Sequence, residues 1–589
     1  MPVEPTPTNH RLAPRAADFS TLAEALDYAA LGDTGTNFFS GRGELHTRLT
    51  YAELRESALT LARKLLGLNL EKGARIGLVA ETTPDFVKLF FACQYAGLIP
   101  VPLPATINMG AQIVYTQQLR RLLQASDASA AISSEGYLPI LRESCDGLNL
   151  RMVDRPEAFH ALPESECELP AVAEDDISYI QYTSGSTRFP RGTIIKHRTV
   201  LANLRGIAQD GLALGAKDRL LSWLPFYHDM GLVGFVLVPV ATQLSVDYLD
   251  TREFALRPRQ WLNLMTRTKA TVSFAPSFGY DLVTRRLRPQ DIAQYDLSHW
   301  RIAGIGAEMI RPQTLQHFAE ILESVGFDRR AFTACYGMAE CTLGVSFSPL
   351  LETYSTHYID SDHLADNHRA VLLEEDVEAG RGRHFVNCGR PLPSFEIEIR
   401  DDNGRPLDDW HSGIIYLRGP SVMSGYFNQP EETRAVLSED GWLNTGDFGY
   451  LVDGLLTITG RKKDLIIIHG RNIWPQDLEH LAETQPEIRR NDTLAFSAPD
   501  ADGEERCVLI VQCRETDARK RRNLVRRLTA LLRIELSLDC HVELAPVHSL
   551  PKTSSGKLSR AKARMDFIAA REAGSKAATA EAERKVASA

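Results

Sequence analysis

Apolar and polar positions alternate along the first half of the chain in blocks that predict a sheet covered by helices. The run Arg75–Ala80 predicts a buried strand, and Thr83 followed by Pro84 predicts the start of a helix. Gly97 marks the end of this helix, and the run Leu98–Leu103 predicts a second strand. A strand, a helix and a strand in this order are typical of an α/β fold.

The pattern changes in the middle of the chain. Residues 347–385 are polar and acidic with weak periodicity, which favours an insertion or a long surface excursion. Between residues 395 and 459, short strand-like runs are separated by Gly, Asn and Asp, as in a β-rich subdomain. A smaller unit begins after Gly460–Asp464, with a strand predicted over Leu465–Ile468 and a helix over Pro475–Glu483. Several domains are therefore expected.

Composition excludes some classes of protein. The chain has 589 residues, of which 44% are hydrophobic and 24% charged, as in ordinary globular proteins. The net charge of −10 argues against nucleic acid as the main partner. Nine cysteines without a CxxC pair indicate reduced thiols rather than disulfides or a zinc site. The N-terminus lacks the apolar region of a signal peptide, and the longest apolar stretch, Gly231–Thr242, is interrupted by Pro239. We expect a cytoplasmic protein without a membrane span or a nucleic acid partner.

The segment Ile177–Ile195 contains the most informative loop. It predicts a strand, a loop rich in Ser, Thr and Gly, and a second strand. Hydroxyl and backbone N–H groups of such a loop can converge on phosphate oxygens. The loop differs from a Walker A motif, because the Gly-Lys-Ser/Thr sequence and the following helix are missing. Taken alone, the segment is also compatible with an ordinary hairpin.

This loop and other segments together resemble the adenylate-forming superfamily, which includes acyl-CoA synthetases, luciferases and peptide-synthetase adenylation domains. The matching segments, in the order of that family, are Tyr182–Gly192, Tyr336–Glu340, Trp442–Asp447, Gly460–Asp464 and Pro551–Lys557. The resemblance implies an α/β fold with a large N-terminal domain, residues 1–460, of two α/β subdomains plus a β-barrel-like subdomain. It also implies a hinge at 461–464 and a small mobile α+β C-terminal domain at 465–569, while the Ala-, Glu- and Lys-rich tail, 570–589, is predicted to be disordered.

The resemblance further implies ATP and Mg²⁺ as cofactors. Adenylation joins a carboxylate to the α-phosphate of ATP, so the enzyme must supply positioning and positive charge. Lys557 is expected to be the main catalytic cation rather than a surface lysine, and Glu340 to hold Mg²⁺ rather than only to charge a helix terminus. His228 is expected to shape the adenylate pocket, with a structural histidine beside Asp229 as the equal alternative. Lys463 is expected at the hinge, with a solvated lysine as the alternative.

The nucleotide is expected to contact several of these segments. Asp447 would accept hydrogen bonds from the ribose hydroxyls with support from Arg461, and Tyr336 would offer a flat face to adenine. The alternatives are a turn-forming Asp and a core Tyr. The full set of expected nucleotide-binding residues is Thr183, Ser184, Gly185, Ser186, Thr187, Gly306, Ala307, Glu308, Tyr336, Gly337, Met338, Ala339, Asp447 and Arg461.

One branch of the superfamily matches better than the others. Thr187-Arg188 and Arg191 stand where most acyl-CoA synthetases have Thr-Gly and lysine, and they resemble the fatty acyl-AMP ligases. Trp474 departs from the usual tyrosine but keeps a ring. Fatty acyl-AMP ligases carry an extra segment where residues 347–385 lie, which is thought to restrict the domain rotation needed for CoA. Further matching segments are Leu224–Leu232, Ala275–Leu282, Cys388–Pro393 and Gly470–Asp477.

The resemblance therefore implies activation of a fatty acid as its acyl-AMP and transfer of the acyl group to the phosphopantetheine of a separate acyl carrier protein. An acyl-CoA synthetase is the alternative enzyme, and a non-catalytic acyl or nucleotide sensor is the alternative from another class. The presence of Lys557, Glu340 and Asp447 disfavours the sensor. An apolar acyl tunnel, or else ordinary core, is expected to contain Phe226, Tyr227, Met230, Phe278 and Tyr280.

Overall fold

The structure is a computed structural model. It describes residues 4–7, 12–105, 112–183, 191–374, 382–468, 471–500, 504–536, 538–553 and 557–571. Within these ranges, no helix is both long enough and apolar enough to cross a membrane. All nine cysteines are free thiols, as the sequence predicts. The predicted tail lies outside the described residues except for 570 and 571, which end the last helix.

A nine-stranded sheet forms the centre of the large part of the molecule. Its six inner strands are parallel, and the strands at both edges are antiparallel to their neighbours. The inner strands are buried almost throughout, as parallel strands covered on both faces must be. In spatial order the strands are Arg390–Pro391, Gly344–Phe347, Phe332–Gly337, Ile302–Ile305, Val272–Ala275, Leu220–Ser222, Val246–Leu249, Gly35–Phe39 and Leu45–Thr50.

A second, four-stranded sheet is parallel throughout and contains the unit predicted from the sequence. Its strands, in spatial order, are Ile99–Leu103, Arg75–Val79, Ala128–Ile132 and Met152–Asp154. The predicted helix is Pro84–Ala96, which begins where the Thr83 hydroxyl accepts a hydrogen bond from the Phe86 N–H. It ends at Gly97, whose φ of 64° is the left-handed conformation that glycine adopts without strain. The predicted strand–helix–strand unit is therefore confirmed.

Helices surround the two sheets and share their hydrophobic core. They include π-helical segments at Ile207–Gly211 and Leu232–Leu237. The longer helices of the large part are Leu22–Ala29, Tyr51–Leu66, Gln112–Ala125, Leu138–Cys145, His197–Gly206, Thr251–Leu256, Arg259–Thr268, Ser277–Thr284, Pro312–Leu322 and Pro430–Val436.

The β-rich region predicted over 395–459 is a four-stranded antiparallel sheet. Its strands, in spatial order, are Glu396–Arg400, Gly413–Arg418, Leu443–Val452 and Leu455–Arg461. The register of the last two strands pairs Asp447 with Arg461. Asp447 and Arg461, both expected to bind the nucleotide, are thus directly opposite each other on two adjacent antiparallel strands.

The polar segment over 347–385 has secondary structure of its own. Strands Thr356–Asp360 and Gly382–Val386 pair antiparallel, and the helix Ser361–Asn367 follows the first of them. The Asp360 carboxylate caps this helix by accepting hydrogen bonds from two backbone N–H groups. Its apolar residues cluster with Tyr450 of the β-rich sheet. The segment is therefore a small packed element in its described part.

The residues after 465 form a smaller unit around hydrophobic clusters of their own. The predicted helix Pro475–Glu483 is confirmed, and the predicted strand starts one residue later than expected, at Ile466. Helix Ala518–Leu536 and a helix over 560–571 also belong to the unit. Its strands are Ile466–Ile468, Arg471–Ile473, Thr493–Pro499, Glu505–Gln512 and Cys540–Ala545.

Candidate active site

A large cavity lies where the carboxyl ends of the central parallel strands meet the β-rich sheet and the small unit. Its volume is about 2830 Å³. Ligands of open α/β sheets bind in such a crevice, outside the carboxyl ends of the strands. Residues from distant parts of the sequence line it, including Thr183, Tyr336, Asp447 and Lys557.

Asp447 is the centre of a hydrogen-bonded group on the cavity wall. Its side chain is almost fully buried. The Tyr336 hydroxyl donates to Asp447 Oδ2 at 2.7 Å, and Arg461 Nε lies 2.9 Å from Asp447 Oδ1. Burial and the nearby Asp447 carboxylate raise the pKa of Tyr336, so this tyrosine stays a donor. These contacts fix the carboxylate, whose oxygens retain further lone pairs for a ligand.

Glu340 lies on the same wall, in the segment that follows the strand Phe332–Gly337. The Tyr426 hydroxyl donates to its Oε1 at 2.9 Å, and the Arg191 guanidinium stacks over the Tyr426 ring. Burial raises the pKa of Glu340, and Tyr426 and Arg461 oppose that change. Gly337, Met338 and Ala339 line the cavity beside it. Gly337 has no room for a side chain, since a Cβ would lie 1.8 Å from the Leu343 carbonyl oxygen.

Across the described part of the chain, no three His, Cys, Asp or Glu side chains cluster so that they alone could hold a metal ion. Among the described residues, at most one other such side chain could therefore share a metal ion with Glu340. This arrangement fits Mg²⁺, which often binds through one or two carboxylates together with the phosphate oxygens of a substrate.

Lys557 reaches the cavity from the small unit. Its ammonium donates to the Ala307 carbonyl oxygen at 2.7 Å. Burial lowers the pKa of Lys557, and the Glu308 and Asp229 carboxylates oppose that change. Ala307 itself has a φ of 65°, a left-handed conformation that is uncommon for alanine. A cation from one domain thus lies against the strained backbone of the other.

His228 and Asp229 form a pair opposite this lysine. His228 Nδ1 lies 2.6 Å from Asp229 Oδ1, and the Met230 N–H donates to the same carboxylate oxygen at 2.7 Å. Although burial opposes ionisation, His228 and Lys557 hold the pKa of Asp229 below its usual value. Both residues line the cavity, so the histidine is at once bonded to its neighbour and open to a ligand. Gln181 Nε2 fixes the segment by donating to the Tyr227 carbonyl oxygen at 2.6 Å.

The segment Gly306–Glu308 supplies backbone as well as charge. The Glu308 carboxylate accepts a hydrogen bond from the Phe278 N–H at 2.9 Å. A side chain on Gly306 would lie 2.7 Å from the Cys335 carbonyl oxygen, so glycine is required by the neighbouring strand. Of the phosphate loop, Thr183 lines the cavity, and its N–H donates to the Arg191 carbonyl oxygen. Ser184, Gly185, Ser186 and Thr187 lie outside the described residues.

The residues expected in an acyl tunnel divide into two groups. Tyr227, Met230 and Phe278 line the cavity. Phe226 and Tyr280, in contrast, are fully buried in the core. Phe226 packs on Tyr248, and the Tyr280 hydroxyl donates to the Gly304 carbonyl oxygen. The expectation that these two line the tunnel is therefore corrected. Apolar wall residues that the sequence did not single out are Ile207, Leu212, Trp223, Phe235, Phe274, Leu343 and Phe347.

Polar contacts join the small unit to the large one around the cavity. Arg311 Nη1 lies 2.7 Å from Glu483 Oε2, and Arg285 Nη2 donates to the Arg490 carbonyl oxygen at 2.8 Å. The partners are far apart in the sequence, so no local sequence pattern predicts these contacts. Asp229 and Tyr426 were also missed as site residues, although Asp229 directly follows His228.

The predicted hinge is a short connection. Arg461 ends a strand, and Lys462–Asp464 forms a single 3₁₀ turn. Lys463 is exposed there. Arg560 Nη2, three residues beyond Lys557, lies 2.7 Å from a Glu479 carboxylate oxygen, and its Nη1 lies 3.5 Å from Asp464. Through Arg560, the segment that begins at Lys557 thus contacts the hinge turn at Asp464.

Comparisons with known proteins identify the family of this chain. Residues 26–427 match the AMP-binding enzyme family. The chain is 44% identical to a putative acyl-CoA synthetase of Caulobacter vibrioides over 569 residues, which covers 96% of this chain and 98% of the relative. It is 31% identical to the medium-chain-fatty-acid–acyl-carrier-protein ligase JamA of Moorena producens, covering 94% of this chain and 95% of the relative.

Solved structures give the same result. One from a study of fatty acyl-adenylate ligases from E. coli and L. pneumophila superimposes with a TM-score of 0.90 and is 48% identical, covering 96% of this chain and 100% of that chain. The fold and site thus define an adenylate-forming ligase. The chain belongs to the AMP-binding enzyme family, and the predicted superfamily is confirmed.

Proposed function

We propose that the protein activates a fatty acid as its acyl-AMP, releases pyrophosphate, and passes the acyl group to the phosphopantetheine of a separate acyl carrier protein. The observation that carries this proposal is the shared cavity. Lys557 and Asp447 line the same space as an apolar wall that includes Trp223, Phe235 and Phe274. A carboxylate at the end of an apolar chain would be held beside the cation while the chain is removed from water.

In the proposed adenylation step, a carboxylate oxygen of the acid attacks the α-phosphorus of ATP. A P–O bond forms, the bond from that phosphorus to the bridging oxygen breaks, and pyrophosphate leaves with the electron pair. Lys557 would offset the negative charge that accumulates as the two anions meet. Asp447 and Tyr336 would hold the ribose and the base. Glu340 would hold Mg²⁺, which supplies charge neutralisation on the phosphates when bound.

In the proposed transfer step, the thiolate of the carrier's phosphopantetheine attacks the acyl carbonyl carbon. A thioester bond forms, the C–O bond to AMP breaks, and AMP leaves. Transfer to CoA instead is the second candidate function. It is favoured by the name of the 44% identical relative, a putative acyl-CoA synthetase, whereas the name of JamA favours the carrier protein.

The element at 356–386 supports the carrier protein over CoA. Arg383 on this element lies 3.0 Å from Asp477 of the small unit, and Asn472 Nδ2 donates to the Ala365 carbonyl oxygen at 3.3 Å. Both side chains of the ion pair are about four-fifths buried, at 17% exposure each. These contacts would oppose rotation of the small unit, which is the motion that we propose CoA use requires.

Removal of the Arg383–Asp477 ion pair tests whether the element at 356–386 restrains the rotation of the small unit. We expect Arg383→Ala to raise the rate of acyl-CoA formation about fivefold, the change that roughly 1 kcal/mol of lost docking energy gives. The rate is measured by steady-state assay with ATP, Mg²⁺, fatty acid and CoA. Arg383→Lys, which keeps a cation opposite Asp477, is the matched control. An Arg383→Ala enzyme with no gain in CoA acylation would count against the restraint.

Chain-length selection is testable at Gly234, which lines the cavity within the π-helical segment Leu232–Leu237. An added Cβ would meet only the Leu343 side chain, at an ordinary contact distance of 3.4 Å. Gly234→Leu should therefore fit the fold and fill part of the apolar wall. We expect kcat/KM to fall at least about tenfold for acids long enough to reach this position, as two or more displaced methylenes imply, and to change little for shorter ones.

The measurement is kcat/KM across a ladder of saturated fatty acids. Gly136→Leu, at an exposed glycine outside the cavity, is the matched control. Equal losses at every chain length would point to a damaged fold, and an unchanged profile would remove Gly234 from the acyl site.

The proposed function itself is tested with purified protein, ATP, Mg²⁺ and radiolabelled fatty acids. We expect acyl-AMP and pyrophosphate to accumulate, CoA to leave the acyl-AMP largely unconverted, and a holo-acyl carrier protein to discharge it. Rapid formation of acyl-CoA would favour the synthetase. Absence of pyrophosphate exchange with any fatty acid would favour a non-catalytic sensor.

A further inference from the structure

The chain reverses direction sharply just after Glu340, in the loop between two antiparallel strands of the nine-stranded sheet. The Leu343 N–H donates to the Cys341 carbonyl oxygen at 2.9 Å. This hydrogen bond spans a single residue and so closes a γ-turn with Thr342 at its centre. Because Glu340 lies only two residues before Thr342, the turn sets the path of the backbone that carries the Glu340 carboxylate.

Thr342 adopts a backbone conformation that is strained for its side chain. Its φ of 71° and ψ of −62° belong to the form of γ-turn that is rare in proteins. A β-branched residue seldom has a positive φ, and among the described residues other than glycine, Thr342 is the only β-branched one that does. Glycine would adopt the same turn without this steric cost. Contacts around Thr342 must therefore stabilise a conformation that threonine itself disfavours.

Hydrogen bonds to one neighbouring segment hold this turn in place. The hydroxyl of the buried Thr342 donates to the Ser421 carbonyl oxygen at 3.0 Å. Two residues further along that segment, the Met423 N–H donates to the Glu340 carbonyl oxygen at 2.8 Å. The Tyr426 hydroxyl then donates to Glu340 Oε1 at 2.9 Å. The same segment thus fixes the turn, the Glu340 backbone and the Glu340 carboxylate.

A carboxylate that is held in this way is prepared to bind a metal ion. Tyr426 uses one lone pair of Glu340 Oε1, and the carboxylate retains others for Mg²⁺. Mg²⁺ demands near-ideal octahedral geometry, so the direction of each ligand matters. A Glu340 side chain that is ordered before the ion binds avoids the entropy loss of becoming ordered on binding. Threonine supplies what glycine could not, which is a bond between the turn and the segment that orients Glu340.

We propose that Thr342 is a positioning residue for Glu340. Its strained γ-turn and its bond to Ser421 hold the Glu340 carboxylate in the orientation that binds the Mg²⁺ of ATP. The inference rests on the proposed function, in which Glu340 holds this ion. Backbone strain beside a reacting centre lowers the stability of the fold but favours a single functional geometry. Threonine at this position therefore serves metal binding rather than stability.

The test replaces Thr342 by glycine, which relieves the strain and removes the hydroxyl. Thr242→Gly is the matched control, because Thr242 is another buried threonine at the end of a helix. Its φ is an ordinary −114°, its hydroxyl donates to the Val238 carbonyl oxygen at 2.7 Å, and it lies outside the cavity lining. We expect the control to lower the Tm of the unliganded enzyme by roughly 3 °C and Thr342→Gly by no more than about 1 °C, since only Thr342→Gly releases strain.

The Mg²⁺ requirement should respond in the opposite order. In Thr342→Gly, the Mg²⁺ concentration that gives half the maximal rate of acyl-AMP formation should rise about fivefold, as the ordering of one more side chain on binding implies. The KM for the fatty acid should stay within twofold. Thr242→Gly should leave both values unchanged. Thr342→Ser, which keeps the hydroxyl, should have a Mg²⁺ requirement within twofold of that of the unmodified enzyme.

An unchanged Mg²⁺ requirement in Thr342→Gly would overturn the inference, as would a loss of Tm as large as that of the control. Equal rises in the Mg²⁺ requirement and in the KM for the fatty acid would indicate a damaged fold and would overturn it as well. If the unmodified enzyme forms no acyl-AMP with any fatty acid, the proposed function fails. In that case the Mg²⁺ concentration at which ATP raises the Tm still decides the inference, because this measurement needs no turnover.

Discussion

Replacing Lys557 by alanine is expected to lower the rate of acyl-AMP formation by about 10²- to 10³-fold, the usual loss when one preorganised group that stabilises transition-state charge is removed. Lys557 is the residue of the small unit whose ammonium contacts the strained Ala307 backbone in the cavity. Without Lys557, no ammonium group would offset the negative charge that accumulates where the carboxylate approaches the α-phosphate. The rate is measured in a single turnover with excess enzyme and radiolabelled fatty acid.

Lys520→Ala is the matched control, because Lys520 is an exposed lysine of the small unit outside the cavity. Its rate should stay within twofold of the unmodified enzyme. A Lys557→Ala enzyme that keeps a tenth or more of the rate would exclude this lysine as the main source of catalytic charge.

Replacing Asp447 by alanine is the second large effect that we expect. The Tyr336 hydroxyl and Arg461 both lose their acceptor, and the ribose loses a ligand. The hydrogen bonds that the ribose would make to this charged acceptor are together worth roughly 3 kcal/mol, so kcat/KM for ATP should fall about 100-fold. The measurement is the ATP dependence of acyl-AMP formation, with thermal unfolding as a separate readout of stability.

Tyr336→Phe serves as the comparison for this prediction. It removes one hydrogen bond to Asp447 but keeps the carboxylate, its pairing with Arg461 and the ring. The loss should be smaller, about tenfold, as one charge-assisted hydrogen bond implies. Equal effects of the two substitutions would mean that Asp447 acts only by positioning Tyr336.

Individual helices and strands could be predicted because the residues that start and end them are close together in the sequence. Thr83 and Gly97 fix the ends of one helix through a side-chain cap and a left-handed residue, and each depends on neighbours along the chain. The helix Pro475–Glu483 was likewise found at its observed bounds. The motif segments predicted Lys557 and Asp447 as site residues, and the structure brings both to one cavity, while their roles stay predictions.

The expectation that an apolar side chain is buried does not show whether it lines the cavity or fills the core. Phe226 and Phe278 are both aromatic residues in apolar segments, yet only Phe278 lines the cavity. The difference depends on what packs opposite each ring, and that is decided by elements far away in the sequence. Contacts between the two units, such as Arg311 with Glu483, depend on the same long-range geometry.

Because Lys557 is carried by a unit joined through one short turn, the proposed hinge motion would make it a tethered reagent. Its local concentration at the cavity would then be set by how often the small unit is docked, and the contacts at Arg311 and Arg285 would contribute to that fraction. The observed rate constant for adenylation would be the intrinsic rate constant multiplied by the docked fraction. Any molecule that shifts this equilibrium would change the turnover of the enzyme without touching a single reacting atom.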